Sequence, residues 1–220
     1  MLGRWLQSLK ALLSRSSETD VPLDYGSGRI EEKVATREEL DAPGGPVTAR
    51  EAFGVVVEIA RAYDEQARFT RVSSGPGLDE QGRTTLWTFQ YQFPNRWAQA
   101  VLSVHTGPPG TKPGSPDEFL EINVTPFPAP GSAMAKMLAE GQSGFVEQQW
   151  KVELERHQPL GENFRDSSEV FQAWVGDGLS LATLGPGVRL EGMTLPLGGA
   201  VWRLSDPSAG KKNLREAPFV

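Results

Sequence analysis

The chain has 220 residues, with 22 Lys plus Arg against 28 Asp plus Glu, 2 His and no Cys. A formal charge of −6 argues against general nucleic-acid binding, which depends on clustered Lys and Arg, and the absence of Cys removes disulfides, thiolate metal sites and a Cys nucleophile. With only two His a zinc site would need carboxylates for most of its ligands, so no metal and no cofactor is expected, while 38% hydrophobic residues suffice for a core.

Residues 1–17 come first. Leu2, Trp5, Leu6, Leu9, Leu12 and Leu13 recur at helical spacing, and Arg4, Lys10 and Arg15 give the segment +3. The expectation is an amphipathic helix that lies on an anionic membrane surface, on a partner or on its own domain. Charged and polar residues recur too often for the uninterrupted apolar core of a secretory signal. The stretch is also shorter than the roughly 20 apolar residues that cross a bilayer. The expected location is therefore cytoplasmic, with contact at the inner face of the membrane as the peripheral option. Residues 18–46 carry −5 and close on Ala42-Pro-Gly-Gly-Pro46, which reads as an acidic linker, with room for a short helix over Glu31–Leu40.

The folded part is expected over residues 47–220. Thr48-Ala-Arg-Glu51 is a capping box that opens a helix with Ala52, Phe53, Val56, Ile59, Ala60 and Tyr63 on one face. After Phe69–Val72 the period changes to two. Thr85, Trp87, Phe89, Tyr91 and Phe93 share one strand face, and Thr84, Thr88, Gln90 and Gln92 fall largely on the other. Parity sets the register with the next strand, 97–106. Pairing Phe93 with Ala98 and Trp87 with Val104 makes one face wholly apolar, whereas a one-residue slip would mix Gln99, Ser103 and His105 into it. A third strand, 118–127, alternates Leu120, Ile122 and Val124 with Glu121, Asn123 and Thr125, after the proline-rich loop 107–116. A helix followed by an antiparallel meander predicts an α+β layer.

The connecting segment 128–159 carries a helix over 132–140. The stretch 145–156 fits either helix (Val146, Trp150, Leu154) or strand (Trp150, Val152, Leu154), with flanking Gly141, Gly144 and Pro159 favouring a strand. A repeat then emerges. Glu51-Ala-Phe matches Glu169-Val-Phe, and each Glu lies three residues after a capping candidate, Thr48 or Asp166. Trp87 and Trp202 follow those Glu residues at 36 and 33 positions. This predicts two related helix-plus-sheet units, 47–127 and 160–220, the second shorter. The order of capped helix, short strand, turn and aromatic strand over 47–106 and 164–206 resembles the PepSY and cystatin-like α+β modules. That resemblance implies a non-catalytic binding or inhibitory module.

The chain lacks a Walker A pattern, a dinucleotide-binding Gly-x-Gly-x-x-Gly, a His-Glu-x-x-His and a Gly-x-Ser-x-Gly elbow. The expected function is therefore binding or assembly with a protein or peptide partner. Its candidate contacts are Trp97, Gln90, Gln92 and Gln99 on the polar sheet face, and Leu2, Trp5, Leu6, Leu9 and Leu12 in the N-terminal helix. The alternative is a small hydrolase or ligand-binding enzyme using Ser103, His105 and Glu121, which the register places on that same polar face.

Overall fold

The computed structural model describes residues 31–36, 44–107, 118–179 and 187–220. The expected helix of residues 1–17 and nearly all of the proline-rich loop lie outside them. In chain order the elements are β1 (Glu31–Thr36), α1 (Ala49–Tyr63), β2 (Arg68–Ser74), β3 (Leu86–Phe93), β4 (Ala98–His105) and β5 (Glu118–Pro126). They continue with α2 (Ala133–Ala139), α3 (Ser143–Arg156), α4 (Ser167–Gly176), β6 (Arg189–Thr194), β7 (Ala200–Asp206) and β8 (Lys211–Pro218). The strands form one antiparallel sheet in the order β1-β5-β4-β3-β2-β6-β7-β8, so the architecture is α+β.

Local chemistry explains α1. Thr48 Oγ1 accepts from the Glu51 amide at 3.2 Å, and Glu51 Oε2 accepts from the Thr48 amide at 2.8 Å, so two otherwise orphaned N–H groups are satisfied reciprocally. The expected apolar face is buried against the sheet. The β3–β4 register is the one parity requires, with Phe93 opposite Ala98 and Trp87 opposite Val104, and β5 pairs antiparallel with β4. The inward faces of these strands, with α1, α4 and Phe164, make one core, in which each buried large apolar side chain contributes roughly 1.5–3 kcal/mol.

The helix–strand pair of residues 167–206 joins that same core. Asp166 caps α4, and its Oδ1 also accepts the Arg50 amide of α1 at 3.0 Å, while Ser167 Oγ accepts the Ala49 amide at 2.9 Å. The start of α4 thus caps α1 as well as itself. Trp87 Nε1 donates to Val47 O at 2.9 Å, and Trp202 Nε1 donates to Arg165 O at 2.8 Å. Each acceptor is the residue just before a helix N-cap. The two indoles meet edge to face with centroids 6.5 Å apart. The β3–β4 turn is Pro94–Arg96 followed by left-handed Trp97, and the β7–β8 turn is Pro207–Ala209 followed by left-handed Gly210.

Two expectations are corrected. Residues 31–36, inside the segment read as linker with an optional helix, form β1 and pair with β5 from Glu31↔Val124 to Thr36↔Glu118. The backbone groups on the outer edge of β5 are satisfied by a strand and would not be by a short helix. Residues 145–156 are helical, within α3, and not a strand. Val146 and Trp150, four apart, are the buried pair, and Glu147–Lys151 (2.9 Å) and Glu153–Arg156 (2.9 Å) add helical ion pairs. Spacing of four and good helix formers outweigh the glycines, because Gly141 precedes the helix and Gly144 falls in its first turn, away from the interior where glycine costs most.

Candidate functional site

Strand alternation gives the sheet two unlike faces. The inner face carries the aromatic core beneath α1 and α4, and the outer face carries the polar residues. Cross-strand register arranges the outer face in rows. One row runs Glu121, Ser103, Thr88, Ser73, Glu191, Arg203, Glu216. The adjacent row runs Asn123, Val101, Gln90, Arg71, Met193, Val201. Opposite charges neutralise one another along these rows, through Arg71–Glu191 at 3.0 Å and Arg203–Glu216 at 2.8 Å. Val101 is 36% exposed, Gln90 is exposed, and Met193 and Val201 are half-buried, so apolar side chains are interleaved with polar ones.

At one end of this face α3 docks. Gln92 Nε2 donates to Glu153 O at 3.1 Å and Gln99 Nε2 to Glu153 Oε1 at 3.2 Å. Trp150 Nε1 donates to Pro94 O at 3.3 Å, and its ring packs on Phe127 with centroids 5.0 Å apart. Of the four candidate contacts on the sheet, Gln92 and Gln99 are therefore engaged internally. Gln90 lies on the open part, and Trp97 sits partly exposed at the β3–β4 turn.

The nucleophile, base and orienter reading meets its geometry here. Ser103 stands directly opposite Glu121 in the β4–β5 register. His105 Nε2 lies 3.5 Å from Glu121 Oε2, and Asn123 Nδ2 donates to Glu121 Oε1 at 2.9 Å. The structure thus brings together imidazole and carboxylate, both side chains under a fifth exposed. Among the described residues Ser103 makes no hydrogen bond to the imidazole. The Cα atoms of residues two apart on a strand are about 6–7 Å apart and their side chains run side by side, without the roughly 3 Å contact that activates a nucleophile. His157, the second histidine, is exposed at the C-cap of α3, 3.4 Å from Glu153. Burial holds the Tyr91 phenol well above its ordinary pKa, so it stays protonated and supplies no base at neutral pH.

Among the described residues no group of three or more His, Asp or Glu could hold a metal ion, and no helix is long and apolar enough to cross a membrane. The sequence reading missed Glu153 as the organiser of the α3 contact and Arg71, Glu191, Arg203 and Glu216 as outer-face residues. Period-two alternation in β6 and β7 was the available signal for Glu191 and Arg203. No family model, no curated protein and no solved structure matches this chain.

Proposed function

We propose that the protein is a non-catalytic protein- or peptide-binding module built from two related helix-plus-sheet units. The observation that carries the binding reading is the outer sheet face, open beyond the footprint of α3, where exposed Val101 and Gln90 share a row with half-buried Met193 and Val201. Apolar side chains bordered by neutral, self-paired polar groups suit a protein interface. The paired Trp-to-cap hydrogen bonds and the matching Pro-x-x-left-handed turns support descent of the two units from one. A PepSY or cystatin-like relationship belongs to the same proposal.

The test is capture of a partner from native lysate by the full-length chain. Substituting Gln90→Arg and Val101→Arg together should abolish capture while moving the melting temperature by no more than about 2 °C, since both side chains are exposed. Capture that survives this pair of charges would sink the outer-face reading. The 3.5 Å His105–Glu121 pair keeps the enzyme reading as its rival. Under binding, His105→Ala with Glu121→Gln leaves capture intact; under catalysis, the same double substitution removes turnover.

Attachment belongs to the proposal too, with residues 1–17 as a peripheral anchor at the inner face of the membrane. The full-length chain should float with anionic vesicles, and a chain lacking residues 1–17 should not. Equal flotation of the two would refute the anchor.

A further inference from the structure

Helix α2 consists of Ala133-Met-Ala-Lys-Met-Leu-Ala139, six apolar residues and one Lys, yet none of the seven is buried. Met134, Met137 and Leu138 are half-buried, and Ala133 and Ala139 are exposed. A two-turn helix is marginal by itself and persists because an apolar face packs against something. The Ser132 cap accepts the Ala135 amide at 3.2 Å, which satisfies one end of the helix and covers nothing. Three residues join α2 to α3, with the Gln142 amide donating to Met137 O at 2.9 Å and the Gly141 amide to Leu138 O at 3.1 Å. On α3, Phe145 and Val152 are each 45% exposed and, seven positions apart, share one helix face. The α2–α3 hairpin thus leaves Met, Leu, Phe and Val side chains at the surface.

The sheet indicates what reaches this surface. β1 begins at Glu31, which stands opposite Val124 near the end of β5. Three residues beyond Val124, Phe127 packs on Trp150 of α3, and residues 128–132 lead from β5 into α2. The chain before Glu31 therefore enters the sheet at the end that carries α2 and α3. Thirty residues precede β1. Residues 18–30 can span about 40 Å when extended, a reach that brings residues 1–17 to either helix. Those residues carry what the hairpin surface lacks, a stripe of six apolar side chains from Leu2 to Leu13 at helical spacing. Charge agrees. Residues 1–17 carry +3 and no acid, while residues 133–156 carry four Glu against three Lys plus Arg.

We propose that residues 1–17 dock through this stripe on the α2–α3 surface of their own chain. Docking goes beyond the binding and anchor readings and depends on neither. One stripe cannot lie on the hairpin and on a vesicle at once, so the docked form is the one in solution, and a membrane competes with α2 and α3 for the same leucines.

The experiment exploits the absence of Cys, which gives thiol cross-linking no background. The full-length chain with Leu9→Cys and Met137→Cys, treated with a short bismaleimide, should cross-link within one chain. It should do so at least about tenfold faster than a chain with Leu9→Cys and Val175→Cys, because docking raises the effective concentration at one place only. Val175 is the reference because it is exposed on α4, across the sheet from α3. Adding Leu6→Asp and Leu12→Asp should slow the Leu9–Met137 reaction to the Val175 rate, and neither position belongs to the described fold. In hydrogen exchange, the Met137–Ala139 amides of the otherwise unmodified chain should be at least about tenfold slower than with Leu6→Asp and Leu12→Asp. Equal cross-linking at Met137 and Val175 overturns the proposal, since a tether alone would produce it. Cross-links between chains overturn it in favour of a second copy as the occupant. Flotation with vesicles and no preference for Met137 leaves the anchor reading standing and removes docking, whereas preferential cross-linking without flotation does the reverse.

Discussion

Replacing Gly192 with alanine lowers the melting temperature of the full-length chain by about 4–12 °C, from an overpacking penalty of about 2–3 kcal/mol in a chain of this size. Gly192 lies on β6 opposite Val72 of β2, in the interior of the eight-stranded sheet. A methyl group there would press on the Phe219 ring edge and lie 2.7 Å from Val72 Cγ1. Neither neighbour can yield. Val72 is fully buried, and the Phe219 ring is held against Phe164 and Trp202, each with centroids 5.0 Å away. Phe219 also accepts the Arg165 amide at 2.8 Å and donates to Ala200 O at 3.0 Å, so the C-terminal segment is clamped at both backbone groups. Trimming the ring in the same background, Gly192→Ala with Phe219→Leu, should restore part of the loss, giving a coupling of about 1 kcal/mol in a double-mutant cycle. Wild-type melting of Gly192→Ala would mean that Phe219 does not cross the sheet at this point.

Trp202→Ala has the larger effect, about 3–5 kcal/mol, which corresponds to roughly 6–20 °C in melting temperature. Its ring is fully buried and packs on Trp87, Phe164 and Phe219, so its removal opens a cavity in the shared core. It also orphans the Arg165 carbonyl, which immediately precedes the cap of α4. Trp202→Phe separates the two contributions. It keeps most of the ring and loses the hydrogen bond, so it should fall between wild type and alanine, with about 1 kcal/mol assigned to the lost donor. Thermal or denaturant unfolding of the three proteins measures the series. A Trp202→Ala protein within about 2 °C of wild type would contradict the burial of this side chain.

Much of the central sheet was legible in the residues. The Thr48–Glu51 capping box needs only a hydroxyl and a carboxylate at the right spacing. The β3–β4 register followed because one face alternates aromatic and small apolar residues while the other alternates Gln, Thr and Ser, so a slip of one would bury amides. The same parity placed Ser103, His105 and Glu121 on a common face, and the β4–β5 pairing puts Ser103 opposite Glu121. Strand β8 was not legible. Its residues show no clean alternation, and a register shift between Leu204 and Asp206 interrupts its pairing with β7. The candidate contacts Gln92 and Gln99 were read as free because local spacing says nothing of a helix arriving from residues 143–156.

The sequence by itself determined the elements whose information is local: the cap of α1, the two strand faces, the apolar inner face and the mildly acidic, cysteine-free chemistry. Those features follow from side-chain period and hydrogen-bonding reach within a few residues. The tertiary structure alone decided how the pieces share one core. It joined β2 to β6, made the N-termini of α1 and α4 share Asp166, brought Phe219 over Gly192, and turned α3 onto the outer face while leaving Val101 exposed. Most of those contacts span scores of residues in sequence, so their energy depends on which surfaces meet and not on any local spacing.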